Sequence, residues 1–219
     1  VLRIQRRSKP SLVCLTEAGI VGGKMGVNEC GIGLVENGLA SSHDGVNPYQ
    51  KPFHMRCREV LDAERYDQAL RPIVETRRTC SANYVIGAAG GEIINFETSP
   101  DHVSYLHPAG GIVTHSNHFV SAGHGESQME KVGPNTLFRA ARMRRLLERG
   151  KGSIELELMK KAMCDHFSEP ASLAVTLILA RPQLTKRPQQ HPHFVLRLKK
   201  LPLAAADATY PIPLRDPFI

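Results

Sequence analysis

The chain has 219 residues with 42% hydrophobic content, enough to bury a sizeable core in one globular domain. It holds no apolar run long enough to cross a bilayer, which argues against a membrane partner. The net charge of +7 invites an acidic partner, but aromatic residues, needed to stack on bases, make up only 5%, so nucleic acid is set aside.

Val1-Leu2-Arg3-Ile4 reads as a strand already under way. Ser11 to Thr16 and Cys30 to Glu36 follow as strands, with Gly22, Gly23 and Gly26 supplying the turns between them. A helix is predicted from Pro52 to Asp62 and a second from Ala63 to Thr76, where Tyr66, Ala69, Leu70, Ile73 and Val74 line one side and Pro72 should bend the rod. Four short strands come next: Ala82 to Ala88, Glu92 to Phe96, His102 to Leu106 and Ile112 to His115. Helices resume over Asn135 to Arg149, whose Ala140, Met143, Leu146 and Leu147 form a buried side opposite a cationic one, and over Ser153 to Phe167. Leu173 to Ala180 is a last apolar run with strand character. Strands, helices, strands, helices, strand is the order of a layered α+β domain.

The composition shifts near Arg181. Seven of the fifteen prolines lie between Pro182 and Pro217, and none of the eighteen glycines falls after Gly152. The domain is therefore bounded at 1–180, with 181–219 a divergent proline-rich tail. An altered reading frame or a deletion near Ser172 would produce such a tail, and a native appendage is the alternative.

Chemistry concentrates in ordered motifs. The tetrad His115-Ser116-Asn117-His118 ends the apolar run Gly111-Ile112-Val113-Thr114 and puts a neutral amide at a strand end, where its NH₂ could serve as an oxyanion donor. Upstream stand Leu15-Thr16-Glu17-Ala18-Gly19-Ile20-Val21-Gly22, then Gly26-Val27-Asn28-Glu29-Cys30-Gly31-Ile32-Gly33-Leu34 and Asn37. Pro52-Phe53-His54 with Arg58, Ser81-Ala82-Asn83-Tyr84, Glu97-Thr98-Ser99-Pro100, and Thr136 with Arg139 complete the series. Together, over roughly residues 11 to 170, it resembles the penicillin acyltransferase (isopenicillin N acyltransferase) family of N-terminal nucleophile hydrolases.

The resemblance implies a four-layer αββα sandwich, two antiparallel sheets facing each other, incomplete here at the N-terminal edge. It implies an autoproteolytic precursor that cuts itself before a cysteine, whose thiol becomes the nucleophile and whose own α-amine, titrating at about 7.7–8.0, acts as base. The reaction would be acyl-enzyme formation on a small-molecule amide or acyl thioester, then transfer to water or an amine, with no cofactor. None of Cys14, Cys30, Cys57, Cys80 and Cys164 follows a glycine, where the family's cut normally falls. The chain is accordingly expected to be a catalytically silent fragment whose partner is the missing N-terminal segment of the same precursor.

Asn117 is carried over as the oxyanion donor. Glu17, Asn28, His115 and His118 are substrate-pocket candidates, although Glu17 and Asn28 suit turn chemistry better. Arg58 and Arg139, near helix beginnings rather than ends, are poorly placed for the helix dipole and read as partners for internal carboxylates. Two other functions stay open: a metal-dependent hydrolase using His115, His118 and His124, and a non-catalytic binding protein on the same scaffold. An odd number of unpatterned cysteines suits a reducing, cytoplasmic compartment.

Overall fold

The computed structural model describes residues 1–75 and 77–169. The proline-rich tail and the predicted strand Leu173 to Ala180 lie outside them. Seven strands form one antiparallel sheet: β1 (Leu2–Ile4), β2 (Leu12–Leu15), β3 (Met25–Asn28), β4 (Ile32–Gly38), β5 (Ala82–Ala88), β6 (Ile93–Thr98) and β7 (Val103–Leu106). Their spatial order is their chain order, and each pairs antiparallel with the next. Between β4 and β5 the chain makes a helical hairpin, α1 (Phe53–Leu61) and α2 (Tyr66–Val74).

Period-2 alternation decides which face the hairpin covers. Leu12 and Cys14 of β2, Ile32 and Leu34 of β4, Ala82, Tyr84 and Ile86 of β5, and Phe96 of β6 share one face. There they pack with Cys57, Val60 and Leu61 of α1 and Ala69 and Ile73 of α2 into the main core. At roughly 25 cal/mol per Å² of apolar surface, each leucine, isoleucine, valine or phenylalanine among them contributes about 1.5–3 kcal/mol. Asn28 ties the sheet to the end of α1. Its Nδ2 donates to the carbonyls of Leu61 (3.0 Å) and Ala63 (2.7 Å), and its Oδ1 accepts from the Ile32 N–H at 3.0 Å. Carbonyls that a helix end leaves unsatisfied are thereby paired.

A second cluster joins Ile112 to Met143, Leu147 and Ala162. It lies between α4 (Thr136–Glu148) and α5 (Leu156–Met163), with the short α3 (Met129–Val132) ahead of them.

Three expectations are corrected. Residues 25–28 are a strand rather than part of a glycine turn. A Cβ on Gly26 would stand 2.3 Å from the Val13 carbonyl oxygen, so this glycine permits close pairing with β2. Ile112 to His115 is not a strand among the described residues, where its ladder contact is an isolated bridge between Ala109 and Ile112. Ile112 is buried by α4 and α5, and α4 takes over polar groups of the run. Arg144 donates to the Ile112 carbonyl at 2.7 Å, and Thr114 Oγ1 donates to the Ala140 carbonyl at 3.0 Å. Arg58 sits in the last turn of α1 rather than near its start and pairs with Asp62 at 2.8 Å. The observed architecture is a mixed α/β arrangement of one seven-stranded antiparallel sheet and five helices; a second, facing sheet is not among the described residues.

Candidate functional site

The sheet face turned away from the helical hairpin carries a polar row. Asn37 of β4 is directly opposite Asn83 of β5, Asn83 is opposite Glu97 of β6, and Glu97 is opposite Ser104 of β7. Directly paired residues share a face, so four consecutive strands present an unbroken polar line. Asn83 Nδ2 donates to Asn37 Oδ1 at 2.9 Å. Asn83 Oδ1 and both amide atoms of neighbouring Asn95 have no hydrogen-bond partner among the described residues, although both side chains are fully buried. Such atoms normally find one.

Residues 115–124 dock on this row. His115 Nε2 lies 2.8 Å from Glu97 Oε1 and its Nδ1 lies 2.6 Å from the Ser116 carbonyl. Both neighbours are acceptors, which holds the ring between the carboxylate and the carbonyl. Glu97 also takes the N–H of Val120 (2.6 Å) and of Ser121 (2.8 Å). Burial pushes the Glu97 carboxyl up, but the hydrogen bonds from His115, Ser121 and Val120 outweigh it and hold it at about 2. Asn37 Nδ2 donates to the Ser116 carbonyl at 2.7 Å. At the far end of the row His124 Nε2 meets Ser104 Oγ at 2.6 Å, with the His124 ring stacked on Phe119.

Asn117 is gripped from two sides. Its Nδ2 donates to the Gly38 carbonyl at the end of β4 (2.8 Å), and its Oδ1 accepts from Arg139 Nη2 at 2.5 Å. Its backbone N–H donates to Thr136 Oγ1 at 2.6 Å, in the first turn of α4. Its amide therefore lies beside a strand end, but on a half-buried loop residue and not on a strand of its own. Arg139 meets this amide oxygen, where the sequence suggested a carboxylate. His118 Nδ1 is 3.1 Å from Thr136 Oγ1, and burial followed by the charge of His115 pulls its pKa down.

Of the residues singled out from the sequence, Asn117, His115 and His118 come together here. Glu17 does not: it is exposed and pairs with Lys24 at 2.7 Å. Asn28 has its amide spent on backbone groups on the helix side of the sheet. The imagined metal triad does not assemble, because His115 is committed to Glu97 and His124 to Ser104 and Ser99. Among the described residues no group of three or more His, Cys, Asp or Glu could hold a metal ion. Sequence reasoning missed Glu97, Asn37, Asn83 and Ser104 as a unit. The available signal was a polar residue two positions from an apolar one in strands whose alternate residues make the core, as in Val35/Asn37 and Asn83/Val85.

Cys14 and Cys57 are buried on the opposite, helix-packed face, and burial pushes both thiols up. Cys30 stands beyond the other end of β4 from Gly38, a strand length of roughly 20 Å away.

A family model described as acyl-coenzyme A:6-aminopenicillanic acid acyl-transferase matches residues 3–177. The chain belongs to this acyltransferase family. No curated protein matches it. Membership in the family supports acyltransferase or hydrolase-like chemistry on a small acyl substrate. The match takes in the sheet from Arg3 onward, the polar row and the Asn117 clamp. No described helix is long and apolar enough to cross a membrane.

Proposed function

We propose that this chain is the scaffold and oxyanion side of a cysteine-nucleophile amidohydrolase or acyltransferase that works through an acyl-enzyme. Asn117 is the oxyanion donor, and His115 and His118 border the substrate. The nucleophile is a cysteine freed by self-cleavage on another segment of the same precursor. That segment lies over the polar face and completes the second sheet of a four-layer sandwich. The thiol, having given its proton to the adjacent α-amine, forms a C–S bond to the amide or thioester carbonyl. Asn117 donates to the resulting oxyanion, the amine returns the proton to the leaving group, and water or an acceptor amine then takes the acyl group.

The observation that carries this reading is the Asn117 amide, gripped through Oδ1 and one N–H, with no second N–H bond among the described residues. Two further features support it. The buried, unpaired amide atoms of Asn83 and Asn95 suit a polar layer laid over this face. Cys14 and Cys57 are poor nucleophiles, on the wrong face with thiols pushed up by burial. We assign the domain to 1–180 with the tail apart, and the reducing cytoplasm as the compartment, since the cysteines are odd in number and follow no disulfide pattern in the sequence.

Mass spectrometry after exposure to an activated thioester tests the reading. The chain alone should gain no acyl adduct, whereas addition of the nucleophile segment should bring turnover. In that enzyme Asn117→Ala should lower kcat about 10²–10³-fold with far less effect on KM. Stoichiometric acylation of any of the five cysteines, or an unchanged kcat in Asn117→Ala, would sink it.

A further inference from the structure

An amide side chain keeps its shape when its oxygen and nitrogen exchange places, so its neighbours decide which end is presented. Those of Asn117 are of opposite kind. Arg139 can only donate, and the Gly38 carbonyl can only accept. Exchanging the ends would set the NH₂ against the guanidinium and Oδ1 against a carbonyl oxygen, breaking both bonds and creating two repulsions. Thr136, three residues before Arg139 and therefore on the same side of α4, holds the Asn117 backbone N–H at 2.6 Å. Its carbonyl accepts from Ser116 Oγ, also at 2.6 Å. One helix face thus fixes both the backbone and the side-chain oxygen. Arg139 is itself 7% exposed, so water competes little for its donors.

We infer that Arg139 is a positioning residue for acyl transfer: by donating to Asn117 Oδ1 it fixes which way the amide points and strengthens the remaining Nδ2–H as a donor to the oxyanion. The strengthening follows from amide resonance. Positive charge at the oxygen draws electron density from the nitrogen, and hydrogen bonds linked in this way reinforce one another. The inference rests on the oxyanion role proposed for Asn117.

The side-chain NH₂ of Asn117 reports on this directly in the ¹⁵N-labelled chain, assigned by its loss in Asn117→Asp. In Arg139→Met its two proton shifts should converge, and its exchange with solvent should rise about tenfold or more. Arg139→Lys, with a single donor head, should fall between, and it carries the measurement if Arg139→Met does not fold. Arg142→Met, which breaks the pair to Asp165 on the same helix, should leave the signal unchanged. In the enzyme with its nucleophile segment, Arg139→Met should lower kcat about 10–100-fold with KM within about threefold. Added to Asn117→Ala, it should cost nothing more, as coupled residues are non-additive. An Asn117 amide signal unaltered in folded Arg139 variants overturns the inference about Arg139 alone. A kcat unaffected by Asn117→Ala overturns the proposed oxyanion role as well, whatever the spectra show.

Discussion

Glu97 receives the His115 imidazole at 2.8 Å with both side chains almost wholly out of solvent. The carboxylate also anchors the backbone of Val120 and Ser121, so one side chain from β6 fixes two separate points of the loop that carries Asn117. The catalytic geometry and the acid stability of the domain should therefore meet in this residue.

The Glu97 carboxyl is lowered from 4.5 to about 2. A folded-state value below the unfolded one gives stability that is present above 4.5 and lost as pH falls from there through about 2. The shift corresponds to about 3 kcal/mol. Glu97→Gln should lose a similar amount at neutral pH and flatten the acid dependence. Urea midpoints at neutral and acid pH check this; equal slopes in variant and parent would count against it.

Glu36 should behave oppositely. It lies on the helix-packed face of β4, where burial, only partly offset by Lys24 at 3.7 Å, raises it from 4.5 to about 7. The folded state holds this proton more tightly, so stability is fully present below 4.5 and declines as pH rises through about 7. Glu36→Gln should melt higher than the parent in mildly alkaline buffer, by up to about 3 kcal/mol less the lost Lys24 contact. A variant that loses stability on alkalinisation as steeply as the parent would contradict the assignment.

Asn28 should matter for folding and not for chemistry. Asn28→Ala orphans the Leu61 and Ala63 carbonyls and the Ile32 N–H, at a cost of about 2–3 kcal/mol. Thermal melts should show the loss. An unaltered melting temperature would mean that water replaces the amide.

Cysteine accessibility should follow burial. Under native conditions iodoacetamide should reach exposed Cys30 well before Cys14 or Cys57, which should label only on unfolding. Peptide mass mapping over time reads this out, and early labelling of Cys57 would be incompatible with the core described.

Much of the scaffold was legible because its signals are local. Strand β5 spans Ala82 to Ala88 as its alternation predicts, and α1 and α4 begin and end within a residue or so of their predicted bounds. What escaped depends on partners far along the chain. Residues 112–115 carry an apolar run that strand and loop share, and only the arrival of α4 decides between them. The tetrad drew attention to Asn117 and His115, but the row beneath them exists only through strand register. No pattern within β4 alone can tell that Asn37 will face Asn83 and, one strand further on, Glu97.

The sheet's strand order has a consequence in time. Each ladder joins neighbours in sequence, and only the one between β4 and β5 spans an inserted hairpin, so little chain entropy is spent per closure. As the chain emerges from the ribosome, every strand up to Leu106 is free to find its partner before residues 115–124 are. The loop that bears Asn117 thus emerges last, onto a template that can already be standing.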